Sequence, residues 1–465
     1  MQVLFVEPRG AFSNVFDKFM TIPLLGPVYL ATIAEKAGFD VSIINENIVN
    51  RKVAPKELES ADILCVSSMT ATINRGKEIA REYKKIRSKA GKKTHSIVGG
   101  IHASMIPEDV INDFDQVFVG EAENQIIDLL SGKLKNKVVF GSRIENLDAL
   151  PIPNYKLLKN WERMKVIPIM TSRGCPFNCT FCSVTEMFGR GYRVRSVDKV
   201  MEELEPFKDK IIFFADDHFV VNKKRTNEML DKIKNSNFSG KWSAQLRTEV
   251  SKDISLVQKM KNSGCSTVYI GFESINPDSL KEMRKSQNVE DIRRSIDIFK
   301  NNGIFVHGMF MFGSDSDKKD IFKATSDFCL LSGITSVQYL IITPLPGTEF
   351  YRKIESENRL LHKNWEYYDA MHVVFQPKNL SPRELQQGMI DSFSDFYSYT
   401  RGMNEALNAV WESAVALFRN IYSRACFPSF IPVLIKFFGR KIVKNWIQHN
   451  RGYLNYLRRI NGNRH

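Results

Sequence analysis

The chain has 465 residues, 43% of them hydrophobic and 25% charged, a length and balance that suit about three globular domains. Its net charge is +14, but residues 401–465 alone hold 11 Lys+Arg against 2 Asp+Glu, so the first 400 residues are close to balanced and no general nucleic-acid binder is expected. Seven cysteines without a paired pattern exclude a disulfide framework, and no run of about 18 apolar residues offers a membrane span. Met1-Gln-Val-Leu-Phe-Val-Glu-Pro8 has no basic leader and reads as a first strand, so the expected location is the cytoplasm.

From residue 1 to about 140, short β-rich runs alternate with helical patterns: Val3–Val6, Val41–Ile44, Ile63–Ser67, Ser96–Val98, Gln116–Val119 and Val138–Phe140. That alternation predicts an α/β domain with a doubly wound, Rossmann-like parallel sheet. Ligands of such sheets sit outside the carboxyl ends of the strands, where this chain places small and polar residues. Ser67 and Thr70 follow the third run, Gly99-Gly100-Ile101-His102 the fourth, and Gly120-Glu121-Ala-Glu123 the fifth. The first run ends in Glu7-Pro-Arg-Gly10, not in the glycine fingerprint of dinucleotide folds. Periodicity therefore leaves the nucleotide-like ligand open.

The proline-punctuated stretch Leu147-Asp-Ala-Leu-Pro-Ile-Pro-Asn-Tyr155 marks a linker over 146–160 between a domain at 1–145 and a second at 161–352. The second opens with a strand at Val166–Met170 and then Thr171-Ser-Arg-Gly-Cys175-Pro-Phe-Asn-Cys179-Thr-Phe181-Cys182. Structural zinc normally needs a fourth Cys or His at short spacing, and the next histidine is His218. Three thiolates suit an iron–sulfur cluster with one iron left open to a small ligand. The C-x3-C-x2-C spacing resembles the radical S-adenosylmethionine (radical SAM) signature. The resemblance implies one [4Fe-4S] cluster on Cys175, Cys179 and Cys182, with the aromatic Phe181 against the adenine of SAM. Cys65, Cys265 and Cys329 lie in apolar surroundings and read as core residues, so no second cluster is expected.

Further βα units follow at Ile211–Phe219, Trp242–Arg247, Thr267–Ser274, Phe305–Phe312 and Val337–Thr343, which makes a partial (β/α)6 barrel with chemistry at the strand ends. Asp216 and Asp217 read either as caps of the following segment or as ligands of SAM's polar groups. Arg247 and Glu273 could pair with each other; the family resemblance assigns them to the SAM carboxylate or ribose.

The N-terminal domain resembles the cobalamin-binding domain that precedes many radical SAM cores, on Pro23-Leu-Leu-Gly26-Pro-Val-Tyr29-Leu-Ala31, Gly99-Gly-Ile-His-Ala-Ser-Met-Ile-Pro-Glu108 and Gly120-Glu-Ala-Glu123. The resemblance implies cobalamin held by Ser67, Thr70, Gly99, Gly100, Ile101, His102, Gly120 and Glu121. The D-x-H-x-x-G motif that carries a cobalt-ligating histidine elsewhere is absent, which leaves the lower axial ligand open.

From about Lys353 the pattern turns helical, giving a third region at 353–465. Trp365-Glu-Tyr-Tyr-Asp369 and Leu380-Ser-Pro-Arg-Glu-Leu385 resemble the tail of the branch containing hopanoid methylases and the bacteriochlorophyll-ring cyclase. Beyond Arg401, Phe427, Phe430, Phe437, Phe438 and Trp446 interleave with cations, a pattern that suits a membrane surface or a terminal helix packed on the barrel. The resemblance implies a methylase of an unactivated carbon in an apolar, lipid or terpenoid-like substrate, served by a flavodoxin- or ferredoxin-type electron donor. The alternative is cyclisation, oxidation or carbon–carbon coupling without methyl transfer.

Overall fold

The six apolar runs at the start of the chain form six parallel strands: β1 (Gln2–Glu7), β2 (Asp40–Asn45), β3 (Ile63–Ser67), β4 (Ser96–Gly99), β5 (Gln116–Val119) and β6 (Val138–Phe140). Their order is β2-β1-β3-β4-β5-β6. Both faces are covered, by helices such as α1 (Leu25–Lys36) and α2 (Ile73–Lys89), so the strands read as near-continuous apolar runs without alternation. The chain leaves β1 toward β2 on one side and toward β3 on the other. This reversal creates a crevice at the carboxyl ends of β1 and β3, where open α/β sheets bind ligands. Next to it, β4 runs into the short helix α3 (Ile101–Met105).

The computed structural model describes residues 1–12, 21–398, 403 and 431–462. They fall into two units. The first comprises Met1–Leu246, Gln258–Ser266 and Thr343–Phe375; the second comprises Arg247–Val257, Thr267–Ile342 and Gln376–His465. Besides the six-stranded sheet, the first unit contains β7 (Val166–Ile169), the antiparallel pair β8 (Ser172–Arg173) and β9 (Arg193–Val194), β10 (Ile211–Phe214) and β11 (Lys241–Leu246). Strands β11, β10 and β7 are parallel neighbours in that order. Two helices complete the framework: α4 (Val184–Phe188), and α5 (Lys223–Asn235), whose first turn Asn222 caps by accepting from the Arg225 N–H.

Residues 357–381 form no α-helix, only a 3-10 turn at Trp365–Tyr367, unlike the sequence expectation beyond Lys353. Their aromatic side chains explain the difference. Trp365, Tyr368 and Val374 are drawn into the same apolar core as Val6, Val66 and Val98, so burial overrides local helical preference.

The second unit holds β12 (Cys265–Glu273), β13 (Phe305–Phe312) and β14 (Ser336–Ile341), again parallel, in the order β14-β13-β12. Six barrel-type strands are thus present, three in each unit. Helices α6 (Ile321–Leu331), α7 (Pro382–Phe396) and α8 (Ile431–Gly462) belong to the second unit. The Ser381-Pro-Arg-Glu384 segment starts α7 with a capping box: Ser381 Oγ accepts from the Glu384 N–H, and the Glu384 carboxylate accepts from the Ser381 N–H. α8 packs its Val443, Trp446, Tyr453 and Leu457 side inward, with α7 as neighbour. No helix among the described residues is long and apolar enough to cross a membrane.

Candidate active site: the three-thiol loop and the sheet edge

The cysteine triplet lies on the loop between β8 and α4, and buried hydrogen bonds fix the start of that loop. Asp216, at the end of β10, is fully buried. Its Oδ1 accepts from the backbone N–H groups of Thr171 (2.7 Å) and Ser172 (3.0 Å), and its Oδ2 accepts from Thr171 Oγ1 (2.5 Å). Arg225 on α5 adds bonds from Nη2 to the Thr171 carbonyl (3.1 Å) and from Nε to the Arg195 carbonyl (2.8 Å). The carboxylate therefore anchors the strand that feeds the triplet, and burial raises its pKa against these bonds.

Cys175, Cys179 and Cys182 are half-buried thiols, none of them in a disulfide. The Cys182 N–H donates to the Cys179 carbonyl at 3.1 Å, which closes a tight turn between them. Burial pushes the Cys182 thiol up to about 12; the nearby charges of Cys179, Asp217 and Cys175 act in the same direction, against a backbone bond at Val184. Three such thiols become thiolates together only with cations to balance them, and iron supplies those cations. Among the described residues no three His, Cys, Asp or Glu side chains form a site for a metal ion. A four-iron cluster does not need one, because each thiolate takes a different iron. Asp217 adjoins the same loop, its pKa raised to about 6 by burial and by Asp216, against a backbone bond from Gly174 and the charge of Arg173. Phe181 is half-buried between the last two cysteines. His218 is buried, and its ring lies 5.9 Å from that of Phe177 on the loop.

In the second unit, Arg247 Nε meets Glu249 at 3.0 Å and Glu273 meets Lys285 at 2.9 Å, so both predicted residues have local partners of their own. Glu273 has φ 62°, and the pairing of β12 with β13 slips between Gly271 and Glu273. A bulky residue held in the left-handed region at a strand end is a strained feature of the kind found at ligand sites.

At the edge of the N-terminal sheet, Ser67, Gly99, Gly100 and Gly120 lie at the carboxyl ends of β3, β4 and β5, with Thr70, Ile101 and His102 just beyond. Gly100 has φ +93°, and a Cβ there would lie 2.7 Å from the Ser68 carbonyl oxygen, so only glycine lets these two strand ends come together. His102 is buried, with Nε2 3.1 Å from Asp109 and its ring 5.2 Å from Trp365. Three buried polar atoms at this edge, Glu7 Oε1, Ser68 Oγ and His102 Nδ1, have no hydrogen-bond partner among the described residues. Buried polar groups are normally paired, so an edge with three unpaired atoms fits a polar ligand. Burial raises the Glu7 carboxyl to about 8, against bonds from Leu24 and Asn45. Glu121 lies elsewhere, in ion pairs with Arg173 and Arg193.

Residues 169–328 match the family pattern described as the Radical SAM superfamily, and residues 20–130 match that of the B12 binding domain. An uncharacterized methyltransferase of Pyrococcus horikoshii is 30% identical over 434 residues, covering 85% of this chain and 92% of the relative. This chain is a cobalamin-dependent radical SAM enzyme. Also similar is the bacteriochlorophyllide d C-12(1)-methyltransferase of Chlorobaculum tepidum, 27% identical over 88% of this chain and 91% of the relative. The hopanoid C-2 methylase of Rhodopseudomonas palustris is 26% identical over 78% and 71%. Among solved structures, the cobalamin-dependent SAM radical enzyme OxsB with aqua-cobalamin bound shares the fold, with a TM-score of 0.69 at 15% identity over 98% of this chain and 81% of that one. The enzyme's cofactors are accordingly a [4Fe-4S] cluster, SAM and cobalamin, as the sequence implied.

Sequence reasoning passed over Glu7, Ser68, Arg173, Arg193 and Lys285. For Ser68 a signal existed, since it stands between two residues chosen at the same strand end. For the two arginines there was none, because their partners lie far away in the sequence.

Proposed function

We propose that the enzyme methylates an unactivated carbon of an apolar, lipid or terpenoid-like substrate. The observation that carries this reading is the presence of a three-thiol loop and a B12-binding sheet in one chain that is similar to a hopanoid C-2 methylase and a bacteriochlorophyllide d methyltransferase. When bound, the cluster and cobalamin supply the electron that cleaves SAM and the carrier of the methyl group. The chain's own residues supply position. We assign SAM to Phe181, Asp217, Arg247 and Glu273, with Asp216 acting through the strand that it anchors, and cobalamin to Ser67, Thr70, Gly99, Gly100, Ile101, His102 and Gly120. The electron would reach the cluster from a flavodoxin- or ferredoxin-type donor in the cytoplasm.

We further assign substrate entry to a membrane surface touched by α8. Leu434, Phe437 and Phe438 are exposed near its start, followed by exposed Lys441, Lys444, Arg451, Arg458 and Arg459. Each cation near an anionic bilayer contributes about 1 kcal/mol, and the aromatic side chains add apolar burial. Trp446, which the sequence pattern grouped with these aromatics, is 2% exposed, and Phe427 and Phe430 lie outside the described residues. Truncation would uncover the inner face of α8's neighbour α7, so substitution on the outer face is the cleaner test. The full chain is expected to float with anionic liposomes at low salt, and Phe437→Ser/Phe438→Ser to lose that flotation without a change in melting temperature. Equal flotation of both proteins would remove α8 from the surface contact.

A further inference from the structure

The charged quartet at the base of the cysteine loop has a task that neither cofactor assigns. Strands β8 and β9 form a two-residue antiparallel ladder in which Arg173 stands directly opposite Arg193. Two guanidinium groups facing each other across a ladder repel, and here both are more than nine-tenths buried, where that repulsion is least screened. Glu121 bridges them. Its Oε2 lies 3.1 Å from Arg173 Nη1 and 2.9 Å from Arg193 Nη1, and its Oε1 lies 2.5 Å from Arg193 Nη2. Glu123 takes the other prong of Arg173, with Oε1 2.8 Å from Nη2. The Ile144 N–H donates to Glu121 Oε2 at 3.0 Å, and Arg193 Nη1 also donates to the Ile144 carbonyl. Two cations and two anions are thus enclosed with mutual pairing, the condition under which buried charge is tolerated.

We propose that Glu121 and Glu123 are positioning residues for the cluster loop: they neutralise Arg173 and Arg193 and so hold shut the hairpin from which the three cysteines are hung. The coupling to the thiols is short. Arg173 precedes Cys175 by two residues, and between them Gly174 has φ +91° with its Cα so close to the far end of the loop that a Cβ would lie 2.3 Å from the Gly191 carbonyl oxygen. The loop's two ends therefore touch, and opening the ladder displaces Cys175 directly. The same turn is tied to the sheet edge on its other side. The Gly120 N–H donates to Ser104 Oγ (2.9 Å), and Ser104 Oγ donates to the Gly100 carbonyl (2.9 Å). One acidic turn thus joins the glycine pair after β4 to the hairpin of the cluster loop, with its carboxylates spent on the hairpin and not on cobalamin.

The test uses the full chain, reconstituted anaerobically with iron, sulfide and cobalamin. Glu121→Gln keeps the side chain's shape but leaves Arg193 without its carboxylate. It is expected to retain cobalamin at wild-type occupancy by absorbance, to lose the sharp SAM-induced change in the electron paramagnetic resonance spectrum of the reduced cluster, and to raise KM for SAM by about 10- to 100-fold, the scale of a small misplacement. Glu123→Gln should do the same more weakly, since Arg173 keeps one carboxylate. The decisive variant is Glu121→Gln/Arg193→Met, which removes the uncompensated cation as well. It is expected to recover the wild-type spectrum and most of the KM. A Glu121→Gln chain that fails to fold while the double variant folds supports the same conclusion. Loss of cobalamin from Glu121→Gln with an unchanged cluster spectrum, or a double variant no better than the single one, would overturn the proposal.

Discussion

Cys175→Ala, Cys179→Ala and Cys182→Ala are each expected to abolish SAM cleavage, lowering 5′-deoxyadenosine formation by more than about 100-fold, since even an outer-sphere partner of a metal site is worth up to that. Each thiolate takes its own iron, so no remaining pair can replace the missing one. The brown chromophore should be lost with the activity. Fold should not be lost. The three side chains are half-buried on a loop, and truncating them removes little apolar burial, so melting should move by less than about 1 kcal/mol. Cys265, buried at the start of β12, gives the opposite result: Cys265→Ala should keep the cluster and cost about 1–2 kcal/mol of stability through lost packing. Iron content and thermal melting on the four variants separate the two kinds of cysteine.

Asp216→Ala carries the second large effect, through the strand and not through the thiols. Its two carboxylate oxygens satisfy the buried N–H groups of Thr171 and Ser172 and the hydroxyl of Thr171. Each buried donor left unpaired costs about 1–3 kcal/mol, so three cost at least about 3 kcal/mol, and Arg225 loses a compensating charge as well. Cluster incorporation should fall although all three cysteines are intact. Asp216→Asn preserves one acceptor for the backbone and should cost about half as much. An alanine variant that melts like wild type and merely raises KM for SAM would show that the carboxylate serves SAM and not the strand.

Much of the architecture was legible because burial on both faces makes strands of a parallel sheet apolar along their whole length, as in Leu4–Val6 and Leu64–Val66. The cysteine spacing was legible because cluster ligation is local: three ligands lie on one loop. What stayed hidden is non-local. Nothing around Glu121 indicates that its partners are Arg173 and Arg193, 52 and 72 residues away, and nothing around Asp216 points back to Thr171. Both acidic residues were grouped with ligands from their place at strand ends, where a carboxylate serving a cofactor and one serving the backbone look alike in sequence. The segment 357–381 misled for a related reason: its helical pattern gave way to the burial of Trp365 and Tyr368 in a core built some 300 residues earlier. In α8 the amphipathic pattern grouped Trp446 with Phe438 and left open which of them faces the barrel. The structure separates them, one buried and the other exposed.

In the proposed reaction one chain joins SAM cleavage to methyl transfer through cobalamin. The measurement that addresses it most directly is anaerobic turnover of the reconstituted full chain with methyl-labelled SAM, cobalamin, a chemical or flavodoxin-type reductant and a membrane-lipid extract, quantifying 5′-deoxyadenosine, S-adenosylhomocysteine and label in the extracted products. Label is expected in an apolar product, with S-adenosylhomocysteine and 5′-deoxyadenosine formed in proportion to it. A modified product without label, formed with 5′-deoxyadenosine but no S-adenosylhomocysteine, would contradict that expectation and assign the chain to radical chemistry without methyl transfer.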